Sequence, residues 1–203
     1  IGFPASAQET FLINFDSIQD GHGALSTAVE EVADGYLVFG QQFSHDSTGS
    51  IHVYVRKIGL DGHFIHEREY AYGDTRNFNI GYIDPVCLDP NGAFIASVPS
   101  YSDTSSYDNR VTLYRFDEQG DTISTHEVIR NIPPADSNSI NTYQTIFVST
   151  GGYLTVGFWA SAGFPTMGWM VRTDADLDTL WTQTITTPGD FNYALGVAEY
   201  FDG

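Results

Sequence analysis

The stretch Gly151-Gly-Tyr-Leu-Thr-Val-Gly157 decides the fold, because the chain contains it three times in altered form. In each copy a glycine turn runs into an apolar segment, which predicts a tight turn entering a β-strand. The other copies are Asp34-Gly-Tyr-Leu-Val-Phe-Gly40 and Asn91-Gly-Ala-Phe-Ile-Ala-Ser97, and a fourth begins at Asp202-Gly203. Self-similarity of this kind indicates a repeat protein.

A second marker keeps the same register. Each copy continues into a strand that ends in a basic residue, and these residues, Lys57, Arg115 and Arg172, lie 58 and 57 residues apart. The aliphatic residues Ile65, Ile123 and Leu180 repeat the same steps. Two independent markers with one spacing establish a period of about 57 residues, which is the length of one four-stranded antiparallel unit.

The fold class predicted from this repeat is an all-β, β-propeller-type array of four-stranded antiparallel blades. The blades are expected at approximately residues 24–74, 80–130 and 140–190, with partial strands at 11–16 and 191–203. Helical repeats would show apolar spacings of three and four, which these segments lack. Three blades and two partial blades form an incomplete ring, so we expect further blades from the same protein or from neighbouring subunits.

The N-terminal segment predicts export. Residues 1–10 resemble the remnant of a signal peptide or leader, with Ala5-Ser-Ala7 as a cleavage-like sequence. No apolar stretch approaches the ~18 residues of a membrane span. The prediction is a secreted or cell-surface protein, present here as a fragment of a larger one.

Charge and cysteine content narrow the function classes. The formal net charge of −18 would repel a polyanion, which excludes a nucleic-acid partner. The acidity suits solubility in an extracellular setting. Cys87 is the one cysteine, so no intramolecular disulfide forms, and its apolar neighbours predict a structural thiol.

The repeat resembles the propeller-like repeats of large secreted proteins of the Bacteroidota, many of which are cargo of type IX secretion. That pattern has a Gly-Gly-Tyr strand entry and a later basic residue followed by an Asp-containing turn and a Trp. The third copy fits it best, with Leu177 in place of the family glycine, through Gly151, Gly152, Tyr153, Gly157, Arg172, Asp174 and Trp181. The resemblance spans residues 24–203 and implies architecture, while its motifs are nearly silent on activity.

Two sets of side chains are candidates for binding. Asp174, Asp176 and Asp178 have the alternating carboxylates of a calcium loop, but the sixth and twelfth positions are Thr179 and Ile185 instead of Gly and Glu. A hairpin turn is the favoured interpretation of this segment, with calcium as the alternative. Aromatic residues near the variable loops are candidate contacts for a protein or glycan partner: Tyr101, Tyr107, Trp159 and Phe164.

The sequence carries no signature of catalysis, and no catalytic or cofactor-binding residue is assigned. Three functions stay open. The favoured one is a non-catalytic propeller module for binding or scaffolding. The second is a polysaccharide-degrading propeller that uses a pair of carboxylates, for which Glu30, Glu31, Asp84 and Asp89 are among many choices. The third is a structural subunit of an extracellular assembly.

Overall fold

The computed structural model describes residues 24–43, 51–70, 76–81, 83–102, 109–130, 137–161, 166–186 and 192–200. The predicted leader at 1–10, the partial strand at 11–16, the side chains of Tyr107 and Phe164, and Asp202-Gly203 lie outside these residues. Within them the chain forms thirteen β-strands and no helix. The all-β prediction is confirmed.

The strands form three antiparallel sheets in chain order. The first sheet contains β1 (Ala24–Val32), β2 (Gly35–Phe43), β3 (Ile51–Gly59) and β4 (Phe64–Tyr70). The second contains β5 (Arg76–Phe78), β6 (Val86–Leu88), β7 (Phe94–Ser102), β8 (Asn109–Phe116) and β9 (Thr122–Arg130). The third contains β10 (Ser137–Phe147), β11 (Tyr153–Ser161), β12 (Met167–Thr173) and β13 (Thr179–Ile185).

The second sheet departs from the predicted four strands. Its first strand is divided into β5 and β6, and both pair with β7. Between them the backbone N–H of Asn79 donates to the Pro99 carbonyl of β7 at 3.0 Å. Residues 192–200 follow the third sheet without regular secondary structure. The repeat of antiparallel sheets is confirmed, while their arrangement in a propeller stays a prediction.

Side-chain alternation along β8 explains how the sheets pack. Successive residues of a strand point to opposite faces. Tyr114 and Phe116 belong to a core shared with the first sheet, and Val111 and Leu113 belong to a core shared with the third. The second sheet is therefore apolar on both faces and lies between the other two.

The turn between the third and fourth strands is the same in all three sheets. Backbone N–H groups of Gly59, Asp117 and Asp174 donate to the carbonyl four residues later, at 2.9, 3.0 and 3.0 Å. The fourth turn residue has a left-handed backbone, with φ of 80° at Gly62 and 75° at Gly120. Leu177 takes that position in the third sheet with φ of 73°, and its side chain is buried in the core between the second and third sheets.

Two glycines make room for aromatic rings across the ladder. Gly40 pairs with Tyr54, and Gly157 pairs with Trp169. A Cβ on Gly40 would lie 2.4 Å from the Tyr54 ring, and one on Gly157 would lie 2.5 Å from the Trp169 ring. The last glycine of the repeated strand motif is therefore required by packing in the first and third sheets.

Candidate functional site

The repeated basic residue clamps each sheet to the next. Lys57 of β3 is only 1% exposed, and its Nζ lies 2.7 Å from Asp34 Oδ1 in the first turn of its own sheet. The same Nζ donates to the Gln119 side-chain oxygen at 2.8 Å and to the Glu118 carbonyl at 3.2 Å, both in the second sheet. A buried cation thus joins the hairpin turns of two neighbouring sheets.

Arg115 repeats this arrangement between the second and third sheets. Its guanidinium lies 3.6 Å from Asp89 Oδ2 in its own sheet and donates to the Ala175 carbonyl in the turn of the third sheet. The Tyr153 hydroxyl also donates to Asp89. Burial raises the pKa of Asp89, but the hydrogen bonds from Tyr153 and Asn91, together with the Arg115 charge, outweigh it and hold this pKa below its ordinary value.

Arg172, the third clamp residue, hydrogen-bonds within its own sheet. Its guanidinium donates to the carbonyls of Tyr153, Thr173 and Gly151 and to the Thr150 hydroxyl at 3.3 Å. The pKa of Glu199, in residues 192–200, is lowered mainly by hydrogen bonds from Ser149 and also by the charge of Arg172. Lys57 and Arg115 each reach a turn of the following sheet, and Arg172 occupies the same place on a face that residues 192–200 cover in part. For example, the Val197 N–H donates to Gln144 Oε1 at 2.7 Å.

A second pair of repeated contacts joins the last strand of each sheet to the turn before the last strand of the following sheet. Arg68 Nε is 2.7 Å from Asp121, and His126 Nε2 is 3.4 Å from Asp178. Position 126 follows position 68 by one repeat, and position 178 follows position 121. Because neighbouring strands are antiparallel, the tight hairpin turns of each sheet lie at one end of its strands, and the clamps bring these ends together. We call this side of the three sheets the turn edge. The connections β2–β3, β7–β8 and β11–β12 therefore lie at the opposite edge, the loop edge.

A groove of about 260 Å³ with both polar and apolar lining lies on the second sheet, on the face that is turned toward the first sheet. Ser100 at the end of β7 and Arg110 at the start of β8 place it near the loop edge. Phe78 and Tyr114 form its buried floor, and Glu127 of β9 pairs with Arg110 at 3.1 Å. Thr112 and Thr125 complete the lining.

The sequence-based candidates missed this groove. A signal was present in β8, where the residues turned toward the first sheet change from Phe116 and Tyr114 to Thr112 and Arg110. When one face of a strand is polar at its start and apolar toward its end, only the apolar end of that face is expected to be buried in a core. Only the pairing of β8 with β9 adds Glu127 and Thr125 to the same place.

Two further carboxylates influence each other: Glu30 lies in β1, and Asp84 lies between β5 and β6. Burial and then the charge of Asp84 raise the pKa of Glu30. The Asp84 N–H donates to the Tyr143 carbonyl at 2.8 Å, and the Thr145 N–H donates to the Asp84 carbonyl at 3.0 Å, in a parallel bridge between the second and third sheets. Gln144 Nε2 is 3.5 Å from Asp84 Oδ2. The charge of Asp84 therefore acts on Glu30, and both residues are among the carboxylates that the sequence offered.

The predicted calcium ligands form a turn. Asp174 Oδ1 accepts the N–H groups of Asp176 and Asp178 at 3.0 and 2.8 Å. Asp117 Oδ1 accepts the corresponding N–H groups at 2.8 and 2.9 Å, although Gln119 stands in the place of Asp176. The turn therefore accounts for Asp174 without a metal. Over the described ranges, no group of three or more His, Cys, Asp or Glu side chains is placed to hold a metal ion.

The aromatic candidates are dispersed. Trp159 is 1% exposed and belongs to the core between the second and third sheets, so its ring is a packing element. Tyr101 is half-buried in β7. The thiol of Cys87 is partly buried, and burial together with the charges of Asp84, Glu30 and Asp89 raises its pKa, which is the environment of an unreactive thiol.

No described helix is long and apolar enough to cross a membrane. The chain matches no protein-family model and no curated protein.

Proposed function

We propose that this chain is a non-catalytic β-propeller module of a secreted or cell-surface protein, where it binds a partner or holds other domains in place. The observation that carries the proposal is the clamp. Lys57 and Arg115 each bind the first turn of their own sheet and a turn of the next sheet. A contact that recurs from sheet to sheet favours an array in which each blade is related to the next by the same rotation.

The position of the strands supports a radial array. Asp84 and Gln144, close to the first strands of the second and third sheets, form a parallel bridge, so these strands meet. The last strands carry exposed apolar residues at equivalent positions, namely Ile65, Ile123 and Leu180. In a propeller the first strand of each blade lines the axis and the last forms the rim. Between the second and third sheets this is the order expected of inner and outer strands.

A binding role is supported by the loop edge. Binding residues in repeat scaffolds concentrate on variable connections and beside them. The groove at Ser100 and Arg110 opens near this edge. The turn edge carries the structural hydrogen bonds of the clamp residues, beside a more open groove of about 330 Å³ lined by Asn91 and Asp117. The net charge of −18 suits an exported, soluble surface.

A polysaccharide-degrading enzyme is the second candidate, and Glu30 favours it. A carboxyl whose pKa is raised by burial and by a neighbouring carboxylate has the property of a general acid, and Asp84 would be the second carboxylate. Asp84 is at the same time tied to β10 through its backbone, which gives it a structural role.

The two candidates are separated by assaying the purified chain for release of reducing sugar from a panel of neutral and acidic polysaccharides. The non-catalytic module predicts no release above buffer for the wild type. Release that is abolished in both Glu30→Gln and Asp84→Asn, but retained in Glu31→Gln, would establish the enzyme instead. Glu31 is the matched control, because it neighbours Glu30 in β1 and is exposed.

A further inference from the structure

The last strand of the third sheet has one side without a neighbour among the described strands. β13 ends the order of its sheet and pairs with β12 alone within the described ranges. All of its residues are exposed, including Leu180, Trp181 and Ile185. In an antiparallel ladder, alternate residues direct their backbone N–H and C=O groups to the paired strand, so the residues between them direct theirs to the other side. The open side of β13 therefore offers hydrogen-bonding groups for one more strand.

The chemistry of β13 differs from that of the equivalent strands. After a bulge at Leu180, its regular part is the uncharged segment Trp181-Thr-Gln-Thr-Ile185. The equivalent segments are His66-Glu-Arg-Glu-Tyr70 in β4 and Ser124-Thr-His-Glu-Val128 in β9. Charged side chains on an edge strand hinder its pairing with another chain. The first and second sheets carry this protection on their last strands, and the third sheet lacks it.

The uncharged segment of β13 is complementary to itself. When two copies are paired antiparallel with Gln183 at the centre, Trp181 of each copy lies opposite Ile185 of the other. Thr182 then lies opposite Thr184, and Gln183 lies opposite itself. Aromatic side chains opposite β-branched ones, and threonines opposite each other, stabilise antiparallel pairs. Every cross-strand pair in this register is therefore favourable or neutral.

The strand β4 shows the opposite pattern. Pairing of two β4 strands about Arg68 would set Glu67 opposite Glu69 and Arg68 opposite itself, and like charges directly opposite each other destabilise a sheet. Glu67 and Arg68 are also bound by Arg56 and Asp121 of the same chain. Self-complementarity therefore distinguishes β13 from β4.

The charges beside the strand select the antiparallel direction. Asp174, Asp176 and Asp178 lie in the turn that precedes β13. A parallel pair would put the two acidic turns side by side, whereas an antiparallel pair centred on Gln183 keeps them about 30 Å apart. That separation exceeds the Debye length of ~8 Å in physiological salt. We propose that a second copy of this chain pairs with the open side of β13, antiparallel and centred on Gln183, and forms a two-fold symmetric dimer.

This dimer goes beyond the proposed function and requires only the third sheet. A single short strand is well below the ~20–30 residues a side of a standard interface, so the Kd is expected at about 10–500 μM. Each copy has a net charge of −18, and salt screens the repulsion between copies. Sedimentation equilibrium on the whole chain should therefore show a Kd about threefold lower in ~0.5 M NaCl than in ~0.05 M NaCl.

A charge at the centre of the pair tests the register. Gln183→Lys puts two lysines opposite each other at an exposed position and is expected to raise the Kd about tenfold or more. Because this change makes the net charge less negative, general repulsion between copies would not explain the loss. Thr125→Lys is the matched control, since it makes the same charge change at an exposed position of β9 and should leave the Kd within about twofold.

A mixture of two variants tests whether Gln183 faces itself. Gln183→Lys and Gln183→Glu should each dimerise poorly alone, but together they place opposite charges at the centre. The mixed dimer is expected to be at least about tenfold tighter than either variant alone. A mixture that associates no better than its components would contradict the register.

Other results would also overturn the dimer. A wild type that stays monomeric at about 1 mM in high salt would exclude it, and an unchanged Kd in Gln183→Lys would place the contact elsewhere. A monomeric wild type that binds the model peptide (Thr-Val)3, with binding lost in Gln183→Lys, would assign the open side of β13 to a different chain. None of these results bears on the propeller arrangement, which is judged separately by distances between sheets.

Discussion

Lys57 Nζ donates a hydrogen bond to the Gln119 side-chain oxygen at 2.8 Å, so a buried cation of the first sheet holds a turn of the second. Lys57→Met keeps the length of the stem but loses the ion pair with Asp34 and the hydrogen bonds to the turn. We expect the free energy of unfolding to fall by about 1–2 kcal/mol, measured by urea denaturation.

The control for that change is Arg68→Gln, which breaks the exposed pair with Asp121. Solvent screens an exposed ion pair, so Arg68→Gln is expected to lower the free energy of unfolding much less than Lys57→Met. Equal losses for Lys57→Met and Arg68→Gln would contradict a special role for the buried clamp.

Gly157 has no room for a side chain, because the Trp169 ring covers it. Gly157→Ala is expected to lower stability by about 1–3 kcal/mol through overpacking against Trp169 and the Asn141 carbonyl. Gly151→Asn is the matched control, since Gly151 has φ of 90° with open space around it, and Asn tolerates the left-handed region. In thermal unfolding followed by circular dichroism, Gly157→Ala should have a clearly lower unfolding midpoint than Gly151→Asn.

Leu177 combines a left-handed backbone with a fully buried side chain. Leu177→Ala loses about 1.5–3 kcal/mol of burial and keeps the strain of positive φ. Leu177→Gly loses this burial and the buried Cβ as well, but it relieves strain of about 1–2 kcal/mol. From highest to lowest, the expected order of unfolding midpoints is wild type, Leu177→Gly and Leu177→Ala. An Ala variant more stable than the Gly variant would show that the strain is absent.

Asp89 makes stability depend on acid pH. Burial opposes its charge, but Tyr153, Asn91 and Arg115 favour the charge and hold its pKa below the ordinary value in the folded state. The unfolded chain therefore binds this proton more readily, so its stabilising contribution is complete above about pH 4 and is lost as pH falls through the folded pKa. Urea midpoints measured between neutral and strongly acidic pH should show this loss in the wild type.

Asp89→Asn is expected to be less stable at neutral pH and to lose part of that acid dependence, because it has no proton to bind. Tyr153→Phe removes one hydrogen bond to the carboxylate and should shift the loss to higher pH. An unchanged acid profile in both variants would exclude Asp89 as its source.

The sequence was sufficient for the repeat and its turns. Lys57, Arg115 and Arg172 recur because each binds a turn, and Gly40 and Gly157 recur because an aromatic ring lies over each. The division of the second sheet's first strand into β5 and β6 was missed, since two short segments pairing with one partner carry no periodic signal.

The candidate site was harder to predict, for a physical reason. Arg110 and Glu127 are 17 residues apart in sequence and meet only through the pairing of β8 with β9. Trp159 was considered as a surface contact because it borders a variable loop, yet its position in β11 turns it into the core. Loop proximity does not determine which face of a strand a side chain occupies.

The propeller arrangement is tested most directly by distances between inner and outer strands of neighbouring sheets. Spin labels on a Cys87→Ser background would be placed in pairs at exposed positions, Val29 with Leu88 on first strands and Ile65 with Ile123 on last strands. Blades that fan out from an axis should separate the outer pair about 10 Å farther than the inner pair, because three strand spacings of ~4.8 Å diverge. Equal inner and outer distances, as in sheets stacked face to face, would contradict the propeller.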